Sequence, residues 1–146
     1  MREERLLSVG IDIGTSTTQC VFSAITLSNT ASAFSVPRIQ ITEKRVLYRA
    51  PLRLTPLTSP ETIDAQAVER IVSEDYAAAG IRPDQIRLGA VIITGETARK
   101  QNARAVAQAL SRLAGDFVVA TARRWRAFLR DAGLARRSFR APAANG

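Results

Sequence analysis

The amino-terminal third of the chain carries apolar and β-branched residues in two runs, which predict extended structure. The runs cover residues 6–13 and 17–27, and their composition is typical of strands. Because only residues 14–16 separate them, the pattern predicts an antiparallel hairpin. Apolar residues between 39 and 48 indicate a third strand, whose limits the pattern leaves open.

Prolines interrupt this pattern at positions 51, 56 and 60, and a helical pattern follows them. Ser59 followed by Pro60 is a typical helix start, with serine as the N-cap and proline in the first helical position. Apolar residues then recur at helical spacing as far as Ala79. Gly80 is expected to end this first helix, since glycine readily adopts the left-handed conformation found there.

The second half of the chain alternates strand and helix. Residues 88–93 form a continuous apolar run, which predicts a central parallel strand covered on both faces. A second helix is predicted over 96–113 with Gly115 as its cap, and a fifth strand over 117–120. The residues of the second helix expected to face inward are Ala98, Val106, Ala109, Leu110 and Leu113.

The resulting order, β-β-β-α-β-α-β, predicts an α/β protein. Three antiparallel strands followed by αβαβ resemble the ribonuclease-H-like folds, which also form the core of each half of the actin-like ATPases. In such a sheet, ligands bind at the carboxyl ends of the central strands. The links at 14–16 and 94–96 both follow such ends, so we expect the two loops at one edge.

The link between the first two strands has the residues of a phosphate-binding turn. Gly14 permits a sharp turn and the close approach of an anion, and Thr15, Ser16 and Thr17 follow it with amides that can form a nest for phosphate oxygens. Asp12 lies in an apolar strand, where an unpaired carboxylate is costly, and would hold magnesium through water. The alternative is an ordinary hairpin turn, in which Asp12 bonds its own loop.

Thr94, Gly95 and Glu96 form the second loop at the predicted edge. Glu96 has two interpretations, which the sequence leaves open. It is either a residue of a nucleotide site or an acid that favours the first turn of a helix, an effect worth roughly 0.3–1 kcal/mol.

Composition narrows the classes of protein. With 146 residues, of which 46% are hydrophobic, the chain is long enough for one domain with a core. No run approaches the roughly 18 apolar residues that span a bilayer, and the charged amino terminus is unlike a signal peptide. The absence of histidine excludes histidine catalysis and histidine metal ligation. The single cysteine, Cys20, excludes an internal disulfide, fits a reducing compartment and is expected to be a core residue.

The net charge of +8 is concentrated near the carboxyl terminus. Residues 1–121 carry 14 Lys and Arg against 12 Asp and Glu, whereas residues 122–146 carry seven arginines and one acid. A basic segment of this kind can bind nucleic acid, and Trp125, Phe128 and Phe139 could stack on bases. A nucleic-acid-binding module or a ribonuclease-H-like nuclease is therefore one alternative, although few acids fall at the edge where a two-metal nuclease needs them.

Three stretches of the chain resemble a known family. They read Val-Gly-Ile-Asp-Ile-Gly-Thr-Ser-Thr-Thr-Gln at 9–19, Val-Ile-Ile-Thr-Gly-Glu-Thr-Ala-Arg-Lys-Gln-Asn-Ala at 91–103, and Leu-Ala-Gly-Asp-Phe-Val-Val-Ala-Thr-Ala at 113–122. Together they are similar to the ethanolamine ammonia-lyase reactivating factors, members of the actin/Hsp70/sugar-kinase superfamily. The Thr-Gly-Glu-Thr-Ala-Arg-Lys segment is the most specific part of this resemblance, which covers residues 5–122.

The resemblance implies a chaperone-like ATPase that uses ATP and magnesium. Its partner would be ethanolamine ammonia-lyase, from which it releases damaged cobalamin so that intact cofactor can enter. It would act in the cytoplasm, in association with a bacterial microcompartment in some settings, and neither a membrane nor nucleic acid is the expected partner. An actin-like scaffold or filament ATPase is the alternative within the same superfamily.

The resemblance also assigns roles to the two loops. Asp12 matches the acid associated with magnesium and catalysis, and Gly14, Thr15, Ser16 and Thr17 match the first phosphate loop. The second loop at that edge is formed by Thr94, Gly95 and Glu96.

The end of the chain departs from the family pattern. After Ala122 the residues change abruptly to arginine and alanine, which resembles a slipped reading frame. We therefore expect an incomplete actin-like subdomain over 1–122 and an aberrant or disordered tail over 123–146. Because the actin-like ATPases bind nucleotide between two halves, this fragment alone is expected not to hydrolyse ATP efficiently.

Overall fold

A computed structural model describes residues 2–29, 39–113 and 116–121 of the chain, and the predicted tail lies outside them. The strands are β1 (Arg2–Ile13), β2 (Thr17–Asn29), β3 (Ile39–Arg49), β4 (Arg53–Leu54), β5 (Leu57–Ser59), β6 (Thr62–Ile63), β7 (Ile86–Ile93) and β8 (Asp116–Thr121). The helices are α1 (Ala65–Ala79) and α2 (Ala103–Ser111), with two 3₁₀ turns at Pro83–Gln85 and Gly95–Arg99. No helix in these ranges is long and apolar enough to cross a membrane.

The main sheet has the strand order β3-β2-β1-β7-β8. β1 pairs with β2 and β2 with β3 in antiparallel fashion, whereas β1 with β7 and β7 with β8 are parallel. This arrangement confirms the predicted ribonuclease-H-like architecture, in which the hairpin precedes two αβ units. The parallel pairing also places the carboxyl ends of β1 and β7 side by side, with Ile13 next to Ile93.

The core lies on one face of this sheet, beneath α1 and α2. Phe22 of β2 is fully buried, and its ring meets that of Tyr76 of α1 edge to face at 4.9 Å between centroids. The core also includes Val9, Ile11, Ile13, Cys20, Ile63, Ile86, Val91 and Ile93 of the strands, and Val68, Val72, Ala103, Val106, Ala107 and Leu110 of the helices. Their burial is the principal driving force that holds the helices to the sheet.

The opposite face of the sheet is less covered than the sequence predicts. Leu88 is 37% exposed, and Ile41 and Val46 of β3 are 52% and 46% exposed. The prediction that residues 88–93 are buried on both faces is therefore wrong for the described part of the chain, where both helices pack on the face that carries Val91 and Ile93.

The first helix begins later than predicted, although Gly80 ends it as expected. Residues 57–63 form a short hairpin, in which the Ser59 hydroxyl accepts a hydrogen bond from the amide of Glu61 at 3.3 Å. Ser59 therefore shapes a turn, and Asp64 is the N-cap, since its carboxylate accepts from the amide of Ala67 at 2.9 Å. Gly80 has φ +67°. The proline-rich connection is also more ordered than predicted, because it contains β4, β5 and β6.

The predicted helix over 96–113 is two elements. Lys100 is extended, with φ −63° and ψ 147°, and ends the 3₁₀ turn Gly95–Arg99. Asn102 then bonds both main-chain groups of Ile63 in β6, at 2.9 Å to the amide and 2.7 Å to the carbonyl. These tertiary bonds hold Asn102 outside a continuous helix. Val106 and Leu110 are buried as expected, whereas Ala98, Ala109 and Leu113 are half-buried, and Gly115 lies outside the described residues. The fifth strand is confirmed as β8.

Candidate functional site

The two predicted loops meet at the carboxyl edge of the sheet. The amide of Thr94, just after β7, donates to the carbonyl of Ile13 at the end of β1, at 3.0 Å. This bond continues the parallel pairing of the two strands by one residue. Both loops therefore lie side by side at the carboxyl edge of the sheet. The predicted juxtaposition is therefore what the structure shows.

The first loop is a tight turn that depends on glycine. The amide of Gly14 donates to the carbonyl of Thr17 at 2.8 Å, which closes the turn just as β2 begins. A Cβ on Gly14 would lie 3.0 Å from that same carbonyl oxygen, so a larger residue would push the turn open. Thr15 and Ser16 at its tip are exposed.

The second loop locks onto the first through Gly95 and Thr15. Gly95 has φ +62°, in the left-handed region that favours glycine. The following amide, that of Glu96, donates to the Thr15 hydroxyl at 3.0 Å. A Cβ on Gly95 would collide with this hydroxyl. Glycine is therefore required at position 95 both by conformation and by space.

Two threonines outside the predicted site hold the carbonyl of Gly14. The hydroxyl of Thr55 donates to it at 2.8 Å, and that of Thr97 at 2.9 Å. The amide of Thr55 also donates to the carbonyl of Ser16 at 2.9 Å. No local pattern in the sequence points to Thr55, which lies 41 residues from Gly14 in a proline-rich connection. Proximity to the second loop is the only sequence signal that pointed to Thr97.

The hydroxyl of Thr55 also joins a buried chain of hydrogen bonds. It lies 3.1 Å from the hydroxyl of Thr18, which is fully buried. A hydroxyl has one proton to donate, and that of Thr55 is used by the Gly14 carbonyl. Thr18 is therefore the donor in the bond between the two threonines, so that Thr18, Thr55 and Gly14 form a directed chain into the turn.

A buried ion pair anchors the segment that carries Thr55. A guanidinium nitrogen of Arg53 lies 2.5 Å from a carboxylate oxygen of Asp75, whose side chain is 1% exposed. The same nitrogen donates to the carbonyl of Ile71 at 3.3 Å. Burial, and secondly the charge of Asp75, raise the pKa of the nearby Cys20 thiol, which lies in the core as predicted. The pair ties β4 to α1, two residues before Thr55.

Asp12 stands at the end of β1, beside the second loop. Its side chain is exposed, yet its neighbours remove enough water to raise the pKa of the carboxyl, while a hydrogen bond from the Thr94 side chain opposes that rise. The structure therefore places Asp12 and Thr94 together, next to the glycine turn. Among the described residues, no group of three or more acidic or cysteine side chains is placed to hold a metal ion. Asp12 is the carboxylate beside the glycine turn that could hold a cation through water.

Glu96 lies in the first turn of the 3₁₀ segment and is exposed. One of its carboxylate oxygens is 3.5 Å from a guanidinium nitrogen of Arg99, and both side chains are largely open to water. Its amide, in contrast, is committed to the Thr15 hydroxyl. The main chain of Glu96 therefore joins the two loops, whichever interpretation of its carboxylate holds.

Comparisons with known proteins identify relatives of this chain. The family described as "Ethanolamine utilisation protein EutA" matches residues 4–124. The ethanolamine ammonia-lyase reactivases EutA of Escherichia coli and Salmonella typhimurium are each 43% identical to this chain over 122 residues, which cover 84% of the chain and 26% of the relative. The chain thus spans about a quarter of the length of these curated relatives.

The fold is shared with solved structures of low sequence identity. A PPX-GPPA enzyme of Aquifex aeolicus superposes with a TM-score of 0.50 and 13% identity, over 81% of this chain and 36% of that one. This likeness concerns the fold, and the family rests on the sequence matches. The family match over residues 4–124 and the 43% identity to the curated relatives lead to one conclusion: the chain belongs to the EutA family of ethanolamine utilisation proteins.

Proposed function

We propose that this chain supplies one wall of an ATP and magnesium site in a reactivase that acts on ethanolamine ammonia-lyase. The observation that carries the proposal is the interlock of the two loops beside Asp12, at the carboxyl edge of the sheet. Nucleotides bind at this edge in open α/β sheets. The curated relatives, which are named as ethanolamine ammonia-lyase reactivases, support the choice of partner.

The residues of the turn fit a phosphate group. Thr15 and Ser16 are exposed, and within the described residues their amides have no hydrogen-bond partner. Asp12, which lies beside Thr94, would hold a magnesium ion through its water shell. The ion would supply positive charge against the charge that develops during phosphoryl transfer. In this scheme Asp12, Thr94 and the 14–17 turn bind and orient, and Gly95 and Glu96 hold the turn in place.

The whole protein would couple this site to cofactor exchange. We propose that ATP use drives the release of damaged cobalamin from the lyase, in the cytoplasm and in association with a bacterial microcompartment. Since the chain spans about a quarter of the curated relatives' length, the remaining length would supply the opposite wall of the nucleotide cleft. The family match favours this function over an actin-like filament or scaffold.

The test uses two proteins. One is the 146-residue chain, and the other is a chimera in which residues 4–124 replace the matching segment of the E. coli relative. We expect the chimera to hydrolyse Mg·ATP and to restore activity to lyase that carries damaged cobalamin, whereas the chain alone hydrolyses none. Asp12→Ala should abolish both activities of the chimera, because it removes the charge beside the metal.

The control is Asp84→Ala, which removes an exposed carboxylate paired with Arg82 in the 3₁₀ turn Pro83–Gln85. It should leave both activities unchanged. Full reactivation by the Asp12→Ala chimera would remove Asp12 from the site and contradict the proposal.

A further inference from the structure

We propose that Thr55 and Thr97 are positioning residues that aim the amide of Thr15 at the bound phosphate by holding the carbonyl of Gly14. The inference rests on the proposed nucleotide function of the turn. It extends the site to two residues that touch neither the metal nor the phosphate, and it gives each a defined task.

The geometry of one peptide group determines where the amide of Thr15 points. In a trans peptide, the carbonyl of one residue and the amide of the next point in opposite directions, and the described residues contain no cis peptide bond. The Gly14 carbonyl points at the hydroxyls of Thr55 and Thr97, which are 9% and 0% exposed as residues. The amide of Thr15 must therefore point the other way, out of the protein.

The outward amide is free to bind a ligand. Within the described residues, neither the amide of Thr15 nor that of Ser16 has a hydrogen-bond partner. The Thr15 hydroxyl already accepts from the amide of Glu96, so the side chain is held while the main-chain donor stays open. Successive free amides in a turn are the groups from which an anion-binding nest is built.

Two donors on one carbonyl make the orientation robust. A carbonyl oxygen has two lone pairs, and here each is used by a hydroxyl from a different segment of the chain. A single hydroxyl is enough to bias the peptide, since a flip of the 14–15 peptide would break its bond to the Gly14 carbonyl and turn that carbonyl toward the phosphate. The flip is repelled by the anion and loses both hydrogen bonds.

The two donors are themselves held from opposite sides. Thr97 is fixed by the 3₁₀ turn, whose Gly95 and Glu96 lock onto Thr15. Thr55 receives a hydrogen bond from Thr18 and lies two residues after Arg53, which is paired with buried Asp75. The orientation of the phosphate turn is thus set by contacts from both sides of the sheet's carboxyl edge.

The experiment measures the orientation of the 14–15 peptide and the affinity for Mg·ATP separately. In the 146-residue chain, NMR gives the nuclear Overhauser effect between the Gly14 α-protons and the Thr15 amide proton, whose intensity changes when the 14–15 peptide rotates. Titration with Mg·ATP gives a dissociation constant from the Thr15 and Ser16 amide shifts. The variants are Thr55→Val, Thr97→Val and the double variant, each nearly isosteric with threonine.

We expect either single valine to weaken binding of Mg·ATP by no more than about twofold, because the remaining hydroxyl still favours the unflipped peptide. The double variant should weaken binding of Mg·ATP by more than the product of the two single effects. The Gly14–Thr15 proton contact should change fully in the double variant only. Thr55→Ser and Thr97→Ser keep the hydroxyl and should bind within about twofold of the unmodified chain. The matched control is Thr42→Val, which removes the exposed 3.3 Å hydrogen bond from the hydroxyl of Thr42 on β3 to the carbonyl of Thr26 on β2.

Each result has a definite meaning. A folded double variant that keeps the unmodified proton contact and affinity overturns the inference. A double variant whose loss of affinity equals the product of the two single losses overturns it too, since the two hydroxyls would then act independently. If the valine variants do not fold, loss of binding in the folded serine variants overturns it. If the unmodified chain shows no saturable shift of the Thr15 and Ser16 amides with Mg·ATP, the proposed function is contradicted instead. This outcome can be told apart from failure of the inference, because the Gly14–Thr15 proton contact still measures the orientation of the peptide.

Discussion

Gly95 lies so close to Thr15 that a methyl group on Gly95 would occupy the place of the Thr15 hydroxyl. That hydroxyl is the acceptor for the amide of Glu96, and so it is the point where the two loops are joined. The relationship explains why a glycine stands in the second loop. Three glycine variants can separate the cost of a strained backbone conformation from the cost of steric overlap with Thr15.

Gly95→Ala should destabilise the fold and weaken Mg·ATP binding, because it imposes a positive φ on alanine and displaces Thr15. Gly80→Ala imposes a positive φ where nothing lies within 4 Å of the new Cβ, so it should cost only about 1–2 kcal/mol in the free energy of unfolding. Gly10→Ala has neither problem and should be close to neutral. Denaturant unfolding measures all three. Equal losses for Gly95→Ala and Gly80→Ala would show that the contact with Thr15 contributes nothing.

The pKa of Asp12 should lie above the ordinary value of 3.8, and Thr94→Val should raise it further. Loss of water raises this pKa and the Thr94 hydrogen bond lowers it, so removing the hydroxyl leaves the first effect unopposed. An NMR titration that follows the Asp12 carboxyl carbon tests both statements, with Thr42→Val as the control. An unchanged or lower pKa in Thr94→Val would show that Thr94 does not bond the carboxylate.

The raised pKa of Asp12 should also make the fold less stable at neutral pH than it would be with a neutral side chain at this position. The folded protein holds the Asp12 proton more tightly than the unfolded chain does, so Asp12 costs stability as the pH rises from about 3.8 through the folded pKa, and the cost is constant above it. Asp12→Asn should therefore raise the free energy of unfolding at neutral pH and have no such effect at a pH below 3.8. Chemical unfolding at the two pH values measures it. A destabilised Asp12→Asn variant at neutral pH would contradict the sign.

Arg53→Met should destabilise the fold by about 3 kcal/mol, because it leaves the carboxylate of Asp75 buried without its cation. Replacing both partners, as Arg53→Met with Asp75→Leu, should recover most of the loss, since no buried charge then remains. Arg82→Met is the matched control, because Arg82 and Asp84 are about 70% exposed and exposed pairs contribute little. Equal unfolding free energies for the Arg53→Met and Arg82→Met variants would rule out an anchoring role for the buried pair.

Local features could be predicted from the sequence because their causes lie within a few residues. The 14–16 link, the hairpin that it joins and the Gly80 cap follow from composition, loop length and the conformational freedom of glycine. The order of strands and helices placed Asp12 and both loops at one edge, since parallel strands end together. The residues of the two loops could therefore be predicted from the sequence.

The contacts that complete the site were decided by tertiary structure. Ser59 and Pro60 have the pattern of a helix start, yet pairing of β5 with β6 moves that start to Asp64. Asn102 breaks the second predicted helix because it bonds Ile63, 39 residues away. Thr55 reaches Gly14 across 41 residues. Such bonds depend on which segments the hydrophobic core brings together, and no pattern local to either partner carries that information.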